Sequence, residues 1–284
     1  LVFPWAIILI YYFYKNFRRL YQQKVKLFIY CLLIFFTALF YYARFVEPYT
    51  ITVQNISIQT GFEARLAVIS DLHLGVYKDE KFLAQVVDQV NKLSNIDAVL
   101  IPGDLTYDPP TDFDNLFAPL KNIKFPTYAV LGNHDTGKPG PAIAEQLRQT
   151  LEKNGVQVIE NSSVKLADKN ITLLGLGELW SDQADVSLIE QFKPEDNLVV
   201  MAHNPDVIST YHSAIPDITV AGHTHGGQIR LPYIYKMLIP CAGNFDQGLY
   251  STANGQVYVS SGLGETAIPM RLFIPPTIDI LDLY

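Results

Sequence analysis

The sequence predicts an α/β domain preceded by one or two membrane-spanning helices. Three observations carry this. Short apolar runs alternate with stretches whose apolar residues recur at helical spacing. Five of those runs end in Asp, Asn or His. The first 47 residues are apolar and basic, with six Lys or Arg against one acid, whereas the remainder holds 15 basic and 27 acidic residues.

The chain divides at residue 47. Residues 1–47 form the expected anchor, and 48–284 the expected globular domain. Leu27–Ala43, LFIYCLLIFFTALFYYA, has no charge over 17 residues. At about 1.5 Å per residue, a helix of this length reaches the short end of a bilayer span. The run Leu1–Tyr14, LVFPWAIILIYYFY, begins with Leu and reads as the remnant of a longer helix. Between them, 15–26 (KNFRRLYQQKVK) is expected as a basic loop without acids. The positive-inside rule puts that loop in the cytoplasm and the body from Pro48 outside it. A cleaved signal segment is the competing reading. The 17-residue run is long for one, and no small-x-small site follows it.

The body then follows in order. Arg65–Ser70 is a strand, and Lys78–Leu93 a helix with Phe82, Leu83, Val86, Val87, Val90 and Leu93 on one face. Ile96–Ile101 and Pro126–Leu131 are strands. Pro141–Lys153 is a helix. Strands follow in VQVIEN, NITLLGLG, Asn197–His203, Asp217–His225 and Gly255–Gly262. Apolar residues make up 49% of the chain, enough for a sizeable core, and the acidic body excludes a nucleic-acid binder. Cys31 and Cys241 provide no disulfide framework.

In open α/β sheets, ligands bind beyond the carboxyl ends of the strands. The clusters there are Asp71-Leu72-His73, Gly103-Asp104, Asn133-His134-Asp135, His203-Asn204 and His223-Thr224-His225. Singly, each reads as a turn former, a helix cap or a core histidine. Together they hold five of the six histidines, with only His212 apart, which turn chemistry does not explain. Imidazole and oxygen donors without thiolate suit divalent Mn, Fe, Zn or Ni. Seven candidate ligands suit two ions sharing a carboxylate. Two such ions about 3.5–4 Å apart activate a water and clamp an in-line displacement at phosphorus.

The series DLHLG, GDLTYD, GNHD, AHNPD and GHTHGGQ resembles the calcineurin-like metallophosphoesterase superfamily. GHTHGGQIRLP and SGLGETAIPMRLFIPP resemble its membrane-associated bacterial phosphodiesterases, including UDP-2,3-diacylglucosamine pyrophosphatases of lipid A synthesis. The resemblance implies a layered sandwich of two mixed β-sheets flanked by helices. It implies two divalent ions, manganese foremost and Fe, Zn or Ni as alternatives. Asp71, His73 and His225 would hold the first ion. Asn133, His203 and His223 would hold the second, and Asp104 would bridge. His134 would serve the leaving oxygen as proton donor or charge stabiliser, Asp135 would orient His134, and Arg271 would either hold a substrate phosphate or be a surface arginine. His223 and His225 are expected to share a direction as i and i+2 of an extended segment. Glu265, after SGLG, departs from the subgroup's small residues and would repel an anion if it entered the pocket. The apolar stretch 233–255 is either a lipid-facing cap or a surface hairpin.

These features imply a membrane-anchored phosphoesterase cleaving a phosphodiester or pyrophosphate in a phosphorylated lipid or nucleotide-lipid. The partners implied are the lipid bilayer and that substrate, with no nucleic acid and no protein partner. A lipid A precursor would demand the cytoplasmic face, against the positive-inside reading. The alternatives are a phosphomonoesterase or general phosphodiesterase on a soluble substrate, and a non-catalytic metal-binding module.

Overall fold

The computed structural model describes residues 3–111, 113–166, 169–193, 195–212, 215–243 and 245–284. Leu1 and Val2 of the expected first helix lie outside the described residues. The chain opens with two helices, α1 (Phe3–Gln22) and α2 (Lys24–Phe45). The basic stretch expected as a loop is therefore helical, apart from a break at Gln23. KNFRRLYQQ contains no Gly or Pro and is rich in helix formers, so nothing in it stops α1. One helix among the described residues, within 24–49, is long and apolar enough to cross a membrane, and its apolar window is wholly unburied.

The first half of the body runs β1 (Thr52–Ile58), β2 (Ala64–Val68), β3 (Leu74–Gly75), α3 (Glu80–Val90), β4 (Ala98–Pro102), β5 (Thr106–Tyr107), the short helix α4 (Asp114–Phe117), β6 (Thr127–Val130), the single turn α5 (Asn133–Thr136), α6 (Ala144–Lys153) and β7 (Val156–Val158). The second half runs β8 (Ser162–Lys165), β9 (Thr172–Gly175), β10 (Leu198–Met201), β11 (Ile218–Ala221), β12 (Gly248–Thr252), β13 (Gly255–Val259) and β14 (Thr277–Leu283). Asp79 caps α3, its carboxylate accepting from Phe82 N at 3.0 Å.

Two six-stranded mixed sheets form the sandwich. One has the order β1-β14-β2-β4-β6-β7, and the other β12-β13-β11-β10-β9-β8. In the first, only the β14–β2 pair is antiparallel; in the second, β12–β13 and β8–β9 are. Alternation along each strand divides the core. Leu66, Val68, Leu100 and Val130 face Leu173, Val199, Met201 and Val220 between the sheets. Ala67, Ile69, Val99, Ile101 and Ala129 face Leu83, Val86 and Val90 of α3 and Leu147 and Leu151 of α6. Leu174, Val200, Ala221 and Val259 lie under Ile189, Val207, Ile208 and Phe245. The inner strands β2, β4, β6, β10 and β11 are covered on both faces, which is why they read as continuous apolar runs.

This arrangement positions the site. β2, β4 and β6 are parallel neighbours, so the loops after them leave one edge of the first sheet. β10 and β11 are parallel neighbours in the second sheet. Asp71 Oδ1 accepts the backbone N–H of His223 at 2.9 Å, which joins the two edges.

Candidate metal centre

The structure brings Asp71, His73, Asp104, Asn133, His203, His223 and His225 together, and each is buried. His134, at the start of α5, is partly exposed at the mouth. Glycine is required where the loops touch. A methyl at Gly222 would overlap Asp71 and Ser70, and one at Gly132 would overlap Asp104. The glycines beside the histidines thus make room for neighbouring ligands.

His223 and His225 do not lie on an extended segment. Both have left-handed backbone, φ 74° and 51°, and His225 begins the short 3₁₀ turn His225–Gly227. Asp71 (φ 51°), His73 (φ 44°) and Asp104 (φ 50°) share this region. Asp and His enter it more readily than most side chains, but it still costs on the order of 1 kcal/mol per residue.

Two sets of donor atoms face inward. In one, His73 Nε2 and His225 Nε2 are 3.0 Å apart, and Asp71 Oδ1 is 3.9 Å from His225 Nε2. In the other, His203 Nε2 is 2.9 Å from Asn133 Oδ1 and 3.0 Å from His223 Nδ1. Asp104 Oδ2 lies between the sets, 3.4 Å from His73 Nε2 and 3.2 Å from His203 Nε2. His134 also falls within a grouping with His73 and Asp104.

The tautomers test whether a cation fits. His203 Nδ1 lies 2.9 Å from Pro102 O and His223 Nε2 lies 2.9 Å from Pro240 O, so each ring donates outward. With His203 neutral, His203 Nε2, His223 Nδ1 and Asn133 Oδ1 are three acceptors converging at about hydrogen-bond distance, which a cation satisfies; without one, a proton on His203 Nε2 takes that place. The charges agree. Burial disfavours protonated His203, but the Asp104 carboxylate overcomes this and lifts its pKa to about 10. Burial opposes an ionised Asp104 too, yet His203 holds it well below the usual carboxylate range. Burial lowers His73 to about 3 and His223 to about 4, leaving both rings neutral. The chain alone balances its carboxylates with a proton on His203; divalent ions in the same place suit the donor set.

Two expected roles change. Asp135 does not orient the His134 imidazole. One of its oxygens accepts from Thr106 N (3.0 Å) and Thr106 Oγ1 (2.7 Å), the other from Leu105 N (3.1 Å) and Gly132 N (3.0 Å). It ties the loop after β4 to the loop after β6. Burial pushes its pKa up to about 7. Arg271 does not line the cleft. It is 0% exposed, and it donates to the carbonyls of Gly264 (3.1 and 2.7 Å), Ile274 (3.2 Å) and Ser261 (3.0 Å). Its planar fork fastens the 261–264 loop, where Leu263 N and Gly264 N bond Ser70 O and Asp71 O. Glu265 is buried against Lys78 at 3.3 Å, away from any anion in the cleft.

Arg271→Met is expected to lower stability by on the order of 3 kcal/mol, from orphaned carbonyls at about 1–3 kcal/mol each. Thermal melts of the full chain in detergent measure this. KM for a soluble diester should stay near the unaltered value; a large rise in KM with no change in melting would restore Arg271 to the substrate.

The cleft over the two donor sets has a volume of about 360 Å³. Asp104, His134, His223 and His225 form its floor, and Trp180, Ile229, Pro240 and Ile268 contribute apolar walls. Trp180 and Tyr107 escaped the sequence reasoning. Trp180 packs edge-on to His223, ring centres 4.6 Å apart. The backbone N–H groups of Trp180 and Ser181 bond Glu178, at 3.0 and 2.7 Å. Tyr107 lies 5.2 Å from the His134 ring. The available signals were GLGELWSD, a sixth polar cluster after an apolar strand, and the Tyr inside GDLTYD.

The profile of the family described as Calcineurin-like phosphoesterase matches residues 64–227, more than half of the chain. The chain is 29% identical to the uncharacterised metallophosphoesterase YkuE of Bacillus subtilis over 262 residues, covering 85% of this chain and 88% of that protein. It is 28% identical to the phosphodiesterase YaeI of Escherichia coli over 233 residues, covering 77% and 82%. It is 30% identical over 226 residues to a transmembrane protein with metallophosphoesterase domain of Danio rerio, covering 73% of this chain and half of that protein. With the profile spanning every strand-end cluster from Asp71 to His225, the chain belongs to the calcineurin-like phosphoesterase family and is a metal-dependent phosphoesterase.

Proposed function

We propose that this protein is a membrane-anchored phosphodiesterase using two divalent ions, with manganese foremost, on a phosphodiester or pyrophosphate of a lipid. The observation that carries the reading is Asp104 Oδ2, set between two separate groups of inward-facing donors. Asp71, His73 and His225 would hold one ion, and Asn133, His203 and His223 the other, with Asp104 shared. When bound, the pair supplies an activated water and charge stabilisation at phosphorus. The chain's own contribution is placement. His134 N–H donates to Asp104 Oδ1 at 2.9 Å, which fixes the turn carrying the His134 ring over the cleft. We assign that ring the role of protonating or stabilising the leaving oxygen. Trp180, Ile229 and Ile268 give an apolar wall for the remainder of the substrate.

The name of the E. coli relative supports diester chemistry, that of the D. rerio relative supports an anchor, and α2 supports it independently. The basic residues Lys15, Arg18, Arg19, Lys24 and Lys26 gather around the α1–α2 break and favour an extracytoplasmic body. That side suits a phospholipid head group better than UDP-2,3-diacylglucosamine, a cytoplasmic precursor. Turnover of full chain in detergent, stripped by chelator and resupplied with Mn²⁺, should be restored on bis-p-nitrophenyl phosphate and be lower on p-nitrophenyl phosphate. A panel of phospholipids and UDP-2,3-diacylglucosamine then assigns the lipid. Equal activity with and without metal, or cleavage confined to monoesters, would overturn the reading.

A further inference from the structure

The last turn of α2 is built into the catalytic body. Buried Ala43 accepts the backbone N–H of Arg271 at 2.9 Å. Glu47, 2% exposed, accepts that of Ile274 at 2.5 Å. The Lys78 ammonium donates to Pro48 O at 2.6 Å, lies 3.7 Å over the Tyr49 ring and 4.1 Å over the Phe82 ring, and meets Glu265 at 3.3 Å. Residues 265–274 are thereby held at the level of the helix's exit.

That level is set by the helix itself. The 22 residues of α2 span about 33 Å at 1.5 Å each, close to a hydrocarbon core of about 30 Å. Tyr41, Tyr42 and Tyr49 then fall where aromatic side chains sit at a membrane surface. The same 265–274 segment contributes Thr266, Ala267 and Ile268 to the cleft wall. Residues 228–237 run beside it. The Gln228 amide donates to Thr266 O and Ile268 O at 3.0 and 2.7 Å, and Arg230 N donates to Leu272 O at 2.9 Å. From these adjoining segments Ile268, Phe273, Tyr233, Ile234 and Met237 stand 53–96% exposed. Single exposed apolar residues are ordinary; five on two linked segments form a patch that calls for an apolar partner. Exposed Lys236 and part-exposed Arg44 add positive charge beside it, which suits anionic headgroups.

We infer that these five side chains enter the bilayer interface and seat the cleft mouth among the lipid headgroups. The inference rests on α2 as a membrane span and goes beyond it: an anchor alone would let the body sit at any height on a tether. Here the Ala43, Glu47 and Lys78 contacts leave no tether. A headgroup phosphate would reach the metal residues while its acyl chains remain in the leaflet.

The test is fluorescence depth measurement on the full chain in phosphatidylcholine–phosphatidylglycerol vesicles. In a Cys31→Ser, Cys241→Ser background, Phe273→Cys, Met237→Cys, Leu33→Cys and Lys165→Cys are each labelled with an environment-sensitive dye. Leu33 lies in α2 and Lys165 on an edge strand, both exposed. The Phe273 and Met237 labels should shift to the blue. Nitroxide lipids should quench them about threefold more than the Lys165 label, as expected of groups ~5–10 Å into the headgroup boundary. Quenching at Leu33 with water-like signals at Phe273 and Met237 would overturn the seated rim and leave the anchor standing. Water-like signals at all three would overturn both.

Discussion

Asp104→Asn is expected to reduce turnover by more than about 100-fold and to cut bound metal sharply. Loss of an outer partner of a metal ligand typically costs about 10–100-fold, and Asp104 faces both donor sets. The substitution is nearly isosteric. An amide oxygen can still accept from His134 N, so the loop should keep its shape while the bridging charge goes. Metal per chain by mass spectrometry, alongside hydrolysis of bis-p-nitrophenyl phosphate, gives the two readouts. Two ions per chain with undiminished turnover would refute the bridging role.

His134→Ala should separate chemistry from metal retention. General acid catalysis contributes about 10²–10⁴-fold, and turnover should fall by that range. Metal content should hold, because neither donor set needs the His134 ring. The grouping of His134 with His73 and Asp104 makes this a real test. If the ions leave with the ring, His134 is a ligand. Leaving groups of different pKa add a second check: a good leaving group needs little proton assistance, so the loss should shrink on p-nitrophenol esters and grow on alkyl esters.

Much of the centre was legible because its residues end apolar strands, and parallel strands align their ends. Asp71, Asp104, Asn133, His203 and His223 each follow such a run within a few residues. What local patterns omit is long-range. Strand β14 pairs with β1, Thr52 opposite Thr277, and enters the sheet between β1 and β2, yet nothing near either segment announces the other. β1 mixes polar and apolar residues and is mostly exposed, which weakens its signal. Arg271 reads the same on paper whether its fork meets phosphate or carbonyls. Its complete burial decides for carbonyls. Asp135 follows His134 in sequence, but the turn sends its carboxylate backward to Thr106. The basic stretch 15–26 has the charge of an exposed loop but the helix propensity of α1 and α2, and propensity prevails. His223 and His225 do not share a direction as i and i+2 of a strand, because period-two geometry does not apply at positive φ.

The left-handed backbone at Asp71, His73, Asp104, His223 and His225 bears on the protein's lifetime in a cell. A metal-free chain keeps five conformations of intrinsically higher energy, and the charge of its buried carboxylates is offset chiefly by a proton on His203. Ligand binding to the folded state alone adds about 2.7 kcal/mol when the free ion stands at 100 times its Kd. Steady-state abundance follows stability differences of that size, through faster capture of unfolded chains by proteases. Metal starvation should therefore deplete the polypeptide as well as silence it, so that the amount of enzyme becomes a record of recent metal supply.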